Sequence, residues 1–303
     1  MDAMIGNLRD VDIKRLRIFM AIVDSGGFVQ AQNELGLSAS TISVRMAELE
    51  QSLGLRLCNR GRSGFSMTPE GSEVYRACQS LVLSHDRFIS SIGAVRGEIS
   101  GELRLGVIDN VIFDPGLPIS QALSNFSELA SEIEISLYTL SPSELERALQ
   151  EQKLHLGIGV FYHRSPGLRY FPICNEQLIL YCGRGHPLYD TQKDKVTIED
   201  LAQTGFIERT YGQTTSRLNQ PVAFRSAAYS SSLEATALLI QTGNYIGFLP
   251  HYYAQQWCDQ GLLKPLLEKQ VYIESEVSAI IHKNQQDEIF TRGLLDSLMN
   301  LVD

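Results

Sequence analysis

Apolar positions change period along the chain, and the changes mark its elements. Residues 13–25 carry Leu16, Phe19, Met20 and Val23 at i, i+3, i+4 and i+7, which predicts an amphipathic helix. Gly26 and Gly27 end it, because glycine accepts a left-handed cap. A short helix over 28–35 turns Phe28, Ala31 and Leu35 inward. Gly36 then permits a sharp turn, and the Ser38 hydroxyl can cap the helix that follows. That helix, over 39–53, keeps Ile42, Met46, Leu49 and Leu53 on one face and shows Ser40, Thr41, Ser43 and Arg45 on the other. A helix, a tight glycine turn and a second helix with a small, polar start make a helix-turn-helix, whose second helix enters a DNA major groove N-terminus first. Ser38, Ala39, Ser40, Thr41, Ser43 and Arg45 are the candidate groove positions. Residues 55–58 and 65–67 then read as two short strands around a turn rich in Arg and Gly. This is a wing, from which Arg60 and Arg62 would reach phosphate or the minor groove.

From 69 to 97 the period lengthens into one long helix. Val74, Cys78, Leu81, His85, Phe88, Ile92 and Val95 step alternately by four and three, an a/d seam of about three heptads. So narrow a stripe predicts pairing with the same helix of a second subunit. After residue 100 strand and helix patterns alternate. Strands over 102–107, 133–140 and 154–160 enclose helices over 117–128 and 142–152, a βαβαβ rhythm that implies a parallel sheet. A second set follows, with strands at 177–182, 206–209, 222–225 and 245–249 and helices at 197–202, 231–242 and 250–259. A strand over 271–282 and a helix over 286–302 close the chain.

Charge sharpens this division. The 303 residues carry a net charge of −9, a poor profile for a nucleic-acid binder when taken whole. Residues 13–68, however, hold seven Lys and Arg against four Asp and Glu, whereas residues 98–303 hold 15 against 25. A basic head sits on an acidic body. No apolar run approaches the ~18 residues of a membrane span, and acidic Asp2, Asp10 and Asp12 do not suit a signal peptide. The expected location is therefore cytoplasmic. Five scattered cysteines without a C-x-x-C argue for buried thiols rather than zinc or a disulfide framework. No Walker A loop, G-x-G-x-x-G, H-E-x-x-H or G-x-S-x-G occurs, and no cofactor or metal is expected.

The residues in order resemble the LysR-type transcriptional regulators. The match runs through 13–19, Ser25-Gly26-Gly27-Phe28, Leu37-Ser38, Leu49-Glu50, Arg60-Gly61-Arg62, Thr68-Pro69-Glu70-Gly71, 101–106, Gly185-His186-Pro187-Leu188 and Gly247-Phe248-Leu249-Pro250. Three positions depart from the family pattern. Ala39-Ser40-Thr41 replaces Gln-Pro-Ala, Val44 stands where an Arg is usual, and His155 where an Asp is usual. The resemblance implies an α/β chain with a winged helix-turn-helix over 1–68, a linker and dimerisation helix over 69–97, and an effector domain over 101–303. That last part would be two Rossmann-like subdomains of the type 2 periplasmic-binding-protein kind, 101–168 with 271–303, and 169–270, joined by crossings near 168–172 and 265–271. A small-molecule effector would lie between them, at Ile108, Asp109, Asn110, Phe161, Arg209, Thr210, Thr214 and Thr215. Arg209 suits a carboxylate; Asp109 would repel one. The implied protein is no enzyme but a homodimer, or dimer of dimers, that binds double-stranded promoter DNA and acts on RNA polymerase. Two alternatives remain: a thiol-switched regulator of the same fold, and a solute-binding protein or enzyme with an accessory DNA module.

Overall fold

The computed structural model describes residues 13–61, 64–95, 100–129, 132–192, 195–210, 218–219, 222–286 and 288–302. They fall into two compact units, residues 1–96 with 151–153, and the remainder.

In the first unit α1 (Ile13–Asp24), α2 (Ala31–Leu35) and α3 (Ala39–Leu53) precede a hairpin of β1 (Cys58–Gly61) and β2 (Gly64–Met67), and the long α4 (Pro69–Val95) follows. Phe19, Ile22, Ala31, Ile42, Met46, Leu49 and Leu57 form its core. The turn between α2 and α3 is built as its residues demand. Gly36 takes φ 62° at the end of α2, and the Ser38 hydroxyl accepts the Thr41 N–H at 3.2 Å at the start of α3. The Gln32 side-chain oxygen accepts the Ala39 N–H at 3.1 Å and fixes one helix on the other. Glu50 ties α3 to the hairpin, its carboxylate accepting the N–H groups of Leu57 and Cys58 at 2.7 and 3.2 Å. At the start of α4, Gly71 lies so close to the Leu57 carbonyl that an added Cβ would stand 2.0 Å from that oxygen. Only glycine lets the helix sit there.

The second unit runs β3 (Ser100–Val107), α5 (Ile119–Leu129), β4 (Glu132–Thr139), α6 (Pro142–Gln150), β5 (Leu156–Val160) and a 16-residue β6 (Leu168–Gly183). It continues with α7 (Ile198–Gln203), β7 (Gly205–Arg209), β8 (Arg225–Ser230), α8 (Leu233–Gln241), β9 (Ile246–Pro250), α9 (His251–Asp259), β10 (Leu263–Leu266), β11 (Tyr272–His282) and α10 (Ile289–Met299). Among the described residues nine strands are joined in the order β4-β3-β5-β11-β6-β9-β7-β8, with β10 on β6. Strand β3 is parallel to β4 and β5, and β7 is parallel to β8 and β9. These two parallel sets are the cores of two lobes, linked through the antiparallel pair β6 and β11. The first lobe packs Leu103, Leu105, Ile158 and Ala279 against α5 and α10. The second buries Phe206, Ile246 and Phe248 on one face and Tyr181, Ile207 and Leu249 on the other.

Three boundaries differ from expectation. The crossings lie further along the chain than 168–172 and 265–271. Strand β11 pairs with β5 from Val277 to Ile280, while β6 takes up β9 only from Leu178, so the passage falls at 175–177 and 274–276. Pro172 has no N–H to give a sheet ladder. In the structure it sits beside a bulge, where Val277 faces Cys174 and Ser278 faces Pro172, leaving Ile173 as the extra residue. Residues 222–224 are not strand; Phe224 stacks on Phe206 at 4.3 Å, and the edge strand β8 begins only at Arg225. Helix α2 is also shorter than 28–35, its first residues forming turns. No helix among the described residues is long and apolar enough to cross a membrane.

Candidate functional site

The first candidate site is the start of α3. Ser38, Ser40 and Arg45 are exposed, and Ala39, Thr41 and Ser43 half-buried. The Ser38 hydroxyl lies 2.8 Å from that of Ser40 and 2.9 Å from that of Thr41. Arg45 rests against Glu48 at 3.3 Å, which also pairs with Arg15 at 3.1 Å. Val44, the departure from the family pattern, is 57 % exposed and brings an apolar surface to this face. Arg60 lies in β1, opposite Phe65 and one residue from the strand's end at the wing's turn; Arg62 falls outside the described residues.

Helix α4 divides its seam in two. Cys78 is buried and Val74 partly buried in the first unit's own core. These two positions are therefore corrected from seam to core. Leu81, Phe88 and Ile92 are 47, 62 and 42 % exposed, an apolar row along the second half of the helix. His85 is half-buried among them, and Val95 ends the helix.

The second candidate site is a crevice in the second unit, where both lobes send side chains toward one another. Ile108, Asp109 and Asn110 follow β3, and Asn110 takes a left-handed φ of 62° that turns the chain into a short 3₁₀ segment. Arg209 ends β7 and approaches Asp109 at 3.8 Å. The Asp109 carboxylate also accepts the Leu233 N–H at the start of α8, which places an anion where the helix dipole favours one. Around this link Val160, Tyr162, Asp114, Glu176, Leu178 and Tyr252 line the crevice, whose enclosed space is only about 30 Å³. The space is about one water, so the crevice is closed on its own side chains. Beside it opens a wider cleft of about 460 Å³, walled by Ser141, Ser143 and Glu144 from the first lobe and Thr210, Ser231 and Ser232 from the second. Asp109 lines both.

Two of the lining carboxyls went unnoticed in the sequence. Glu176 accepts the Tyr252 hydroxyl at 3.2 Å. Burial pushes its carboxyl up to about 7, with Arg209 opposing and Asp114 and Asp109 adding to the rise. Asp114 is buried, accepts the Gly116 N–H at 2.9 Å, and is likewise raised by burial. Strand parity was the available signal, for Glu176 lies two residues from Cys174 and from Leu178 on one face of β6, while Asn175 and Gln177 are exposed. The same parity corrects Phe161. Its ring meets Tyr170 at 5.6 Å and packs with Leu145 and Leu149, and Tyr162 takes the crevice position. Thr214 and Thr215 lie outside the described residues. His155, the other departure, belongs to the first lobe's core. It is buried, its Nδ1 accepts the Arg104 N–H at 2.9 Å, and its ring meets Phe290.

The thiolate is disfavoured at three of the five cysteines, Cys78, Cys174 and Cys182. Cys58, Cys78 and Cys182 are buried, and burial pushes the thiols up, to about 11 at Cys78 and about 12 at Cys174 and Cys182. Thiolate is the reactive form, so these groups are held unreactive. Among the described residues no three His, Cys, Asp or Glu side chains gather as metal ligands would.

Comparison with known proteins agrees with the two-part architecture. Residues 13–72 match the family described as "Bacterial regulatory helix-turn-helix protein, lysR family", and residues 96–301 match the "LysR substrate binding domain". The chain is 33 % identical over 294 residues to the HTH-type transcriptional activator BauR of Pseudomonas aeruginosa, covering 97 % of this chain and 96 % of that one. Among solved structures it resembles full-length CbnR in complex with its target DNA, with a TM-score of 0.66, 18 % identity, and 96 and 99 % of the two chains covered. It also resembles full-length OxyR of Pseudomonas aeruginosa, with a TM-score of 0.66, 17 % identity, and 95 and 94 % covered. Both domain matches and a relative similar from end to end carry one conclusion: the chain belongs to the LysR family, whose members are transcriptional regulators rather than enzymes.

Proposed function

We propose that this LysR-type regulator senses a small molecule held between the two lobes of residues 100–302, and that the bound molecule alters how its helix-turn-helix engages promoter DNA. The observation that carries the reading is the convergence of side chains from both lobes on one crevice, with Asp109 of the first lobe against Arg209 and the start of α8 in the second. A ligand entering there must part these groups, so it has different affinities for the closed and open lobes; that difference is what shifts an equilibrium. Ser40, Thr41, Ser43 and Arg45 read base edges and phosphates at the start of α3, while Arg60 and Arg62 contact the backbone from the wing. The exposed row Leu81, Phe88 and Ile92 pairs α4 with its copy in a homodimer, and dimers associate further on DNA. The effect passes to RNA polymerase through the placement and bend of the promoter. A cytoplasmic location follows from this work on DNA.

The test has two steps. Selection from a random duplex library with the full-length protein yields its binding sequence. Nuclease footprints on that sequence, taken with and without each compound that raises the protein's melting temperature, should change extent or spacing for at least one such compound. Stabilising compounds that never alter a footprint would overturn the coupling of sensing to DNA.

A further inference from the structure

The charges around the crevice are unbalanced. Asp109, Asp114 and Glu176 face a single cation, Arg209, among the described lining residues, and Glu144 adds a fourth carboxylate at the neighbouring cleft. Helix N-termini are ordinary receivers of ligand anions, but the two at this cleft already have anions of their own. Asp109 takes the Leu233 N–H at the start of α8, and Glu144 takes the Ser141 N–H and hydroxyl at 2.9 and 2.6 Å beside α6. A carboxylate ligand would have to displace one of these groups while facing the rest.

Resting on the reading of the crevice as the effector site, we infer that the effector's charged end is a primary ammonium, received by Glu176 and Asp114. An ammonium brings three donors and one positive charge to a place where carboxyl groups outnumber cations among the described lining residues. Tyr162 and Tyr252 line the same space, and aromatic walls favour an organic cation. A metal ion is the other cation to weigh, but the three crevice carboxyls are not gathered as a metal site needs. The carboxyl of Glu176 sits high, at about 7, because burial and two neighbouring carboxylates outweigh Arg209. A bound ammonium supplies the missing charge and holds Glu176 ionised. The deep space admits little more than the cationic end, so the remainder of the molecule extends toward the cleft of Ser141, Thr210 and Ser232.

The test is calorimetric titration of the full-length protein with pairs of compounds that differ only in the amino group: γ-aminobutyrate and butyrate, butylamine and butanol, alanine and propionate, 6-aminohexanoate and hexanoate. The expected result is at least one pair whose amine binds tenfold or more tighter than its partner. That preference should fall by tenfold or more in Glu176→Gln, which keeps the side chain's shape and an acceptor for Tyr252, and in Asp114→Asn. Failure of every amine to bind, or amines that bind both variants as they bind wild type, overturns the inference. A des-amino acid that binds best and is weakened by Arg209→Gln keeps the crevice as the effector site and overturns the ammonium. A compound whose affinity ignores Glu176→Gln, Asp114→Asn and Arg209→Gln alike removes the crevice itself.

Discussion

Replacing Asp109 by Asn tests the link between the lobes directly. Asp109 and Arg209 stand 3.8 Å apart with side chains 21 and 9 % exposed. Two unit charges about 4 Å apart attract by about 4 kcal/mol at an effective dielectric of 20. Removing one member of a fully buried pair costs about 3–5 kcal/mol, because the other is left uncompensated. Here the cost is smaller for two reasons: Asp109 is partly solvated, and Glu176 also lies close enough to Arg209 to feel its charge. Asn keeps an oxygen for the Leu233 N–H, so α8 loses only the charge part of its cap, about 0.3–1 kcal/mol. The net expectation is a loss of about 2–3 kcal/mol, equivalent to roughly 4–12 °C in the melting temperature of a unit of this size. The assay is urea unfolding of wild type, Asp109→Asn, Arg209→Gln and the double variant. The two single losses should exceed the double loss by at least about 1 kcal/mol, the signature of direct coupling. Additivity within about 0.3 kcal/mol would refute the reasoning and make the two residues independent surface charges.

Three further outcomes are expected. Replacing Arg60 and Arg62 together by Ala should weaken binding to all DNA sequences about equally and lower the magnitude of the log–log salt slope by about two, as the loss of two phosphate contacts requires; gel-shift titrations across salt check this, and an unchanged slope removes the wing assignment. Glu at both Leu81 and Phe88 should abolish dimers in sedimentation equilibrium, since each places a charge in a row of 47 and 62 % exposed apolar side chains; a double variant that sediments like wild type ends the seam argument. Glu176 should make the protein less stable as pH rises. Its folded-state carboxyl at about 7 lies above the unfolded value of about 4.3, so between these the folded state holds more protons, and stability falls from the lower value to the higher and is flat beyond it. Urea midpoints measured across that window should show this decline in wild type and lose it in Glu176→Gln.

Local chemistry was readable in the sequence wherever one residue type has one conformational use. Gly36 and Ser38 announced the turn and the cap, and both do that work at φ 62° and at the Thr41 N–H. The period of α3 placed Ile42, Met46 and Leu49 in the core as found. Parallel strand sets were equally plain, because βαβ spacing leaves few topologies. What escaped depends on packing between elements distant in the chain. Cys78 satisfies an a/d pattern, yet α4 uses its first turns to close the head's core and leaves the row open only from Leu81. Periodicity records that a face is apolar and not which neighbour covers it. The crossings escaped because Pro172 sits in the strand beside a bulge of β6 that exists only in its pairing with β11.

The crevice chemistry escaped for a related reason, and it alters what the family likeness is worth here. Asp109 and Arg209 were legible as crevice candidates, but Asp114 and Glu176 are unremarkable acids in their own segments, and only the packing of elements distant in the chain brings the four together. Arg209 alone invites an anion, as it did in the sequence. In the structure Asp109 approaches that charge at 3.8 Å, and among the described lining residues the surplus is negative. On the proposed reading of the crevice as the effector site, the sign of the charge left over there bears on what the ligand is like. The decision between a cationic and an anionic effector therefore rests with Glu176 and Asp114 rather than with Arg209. A screen built on carboxylates alone would probe the charge the protein has already supplied for itself.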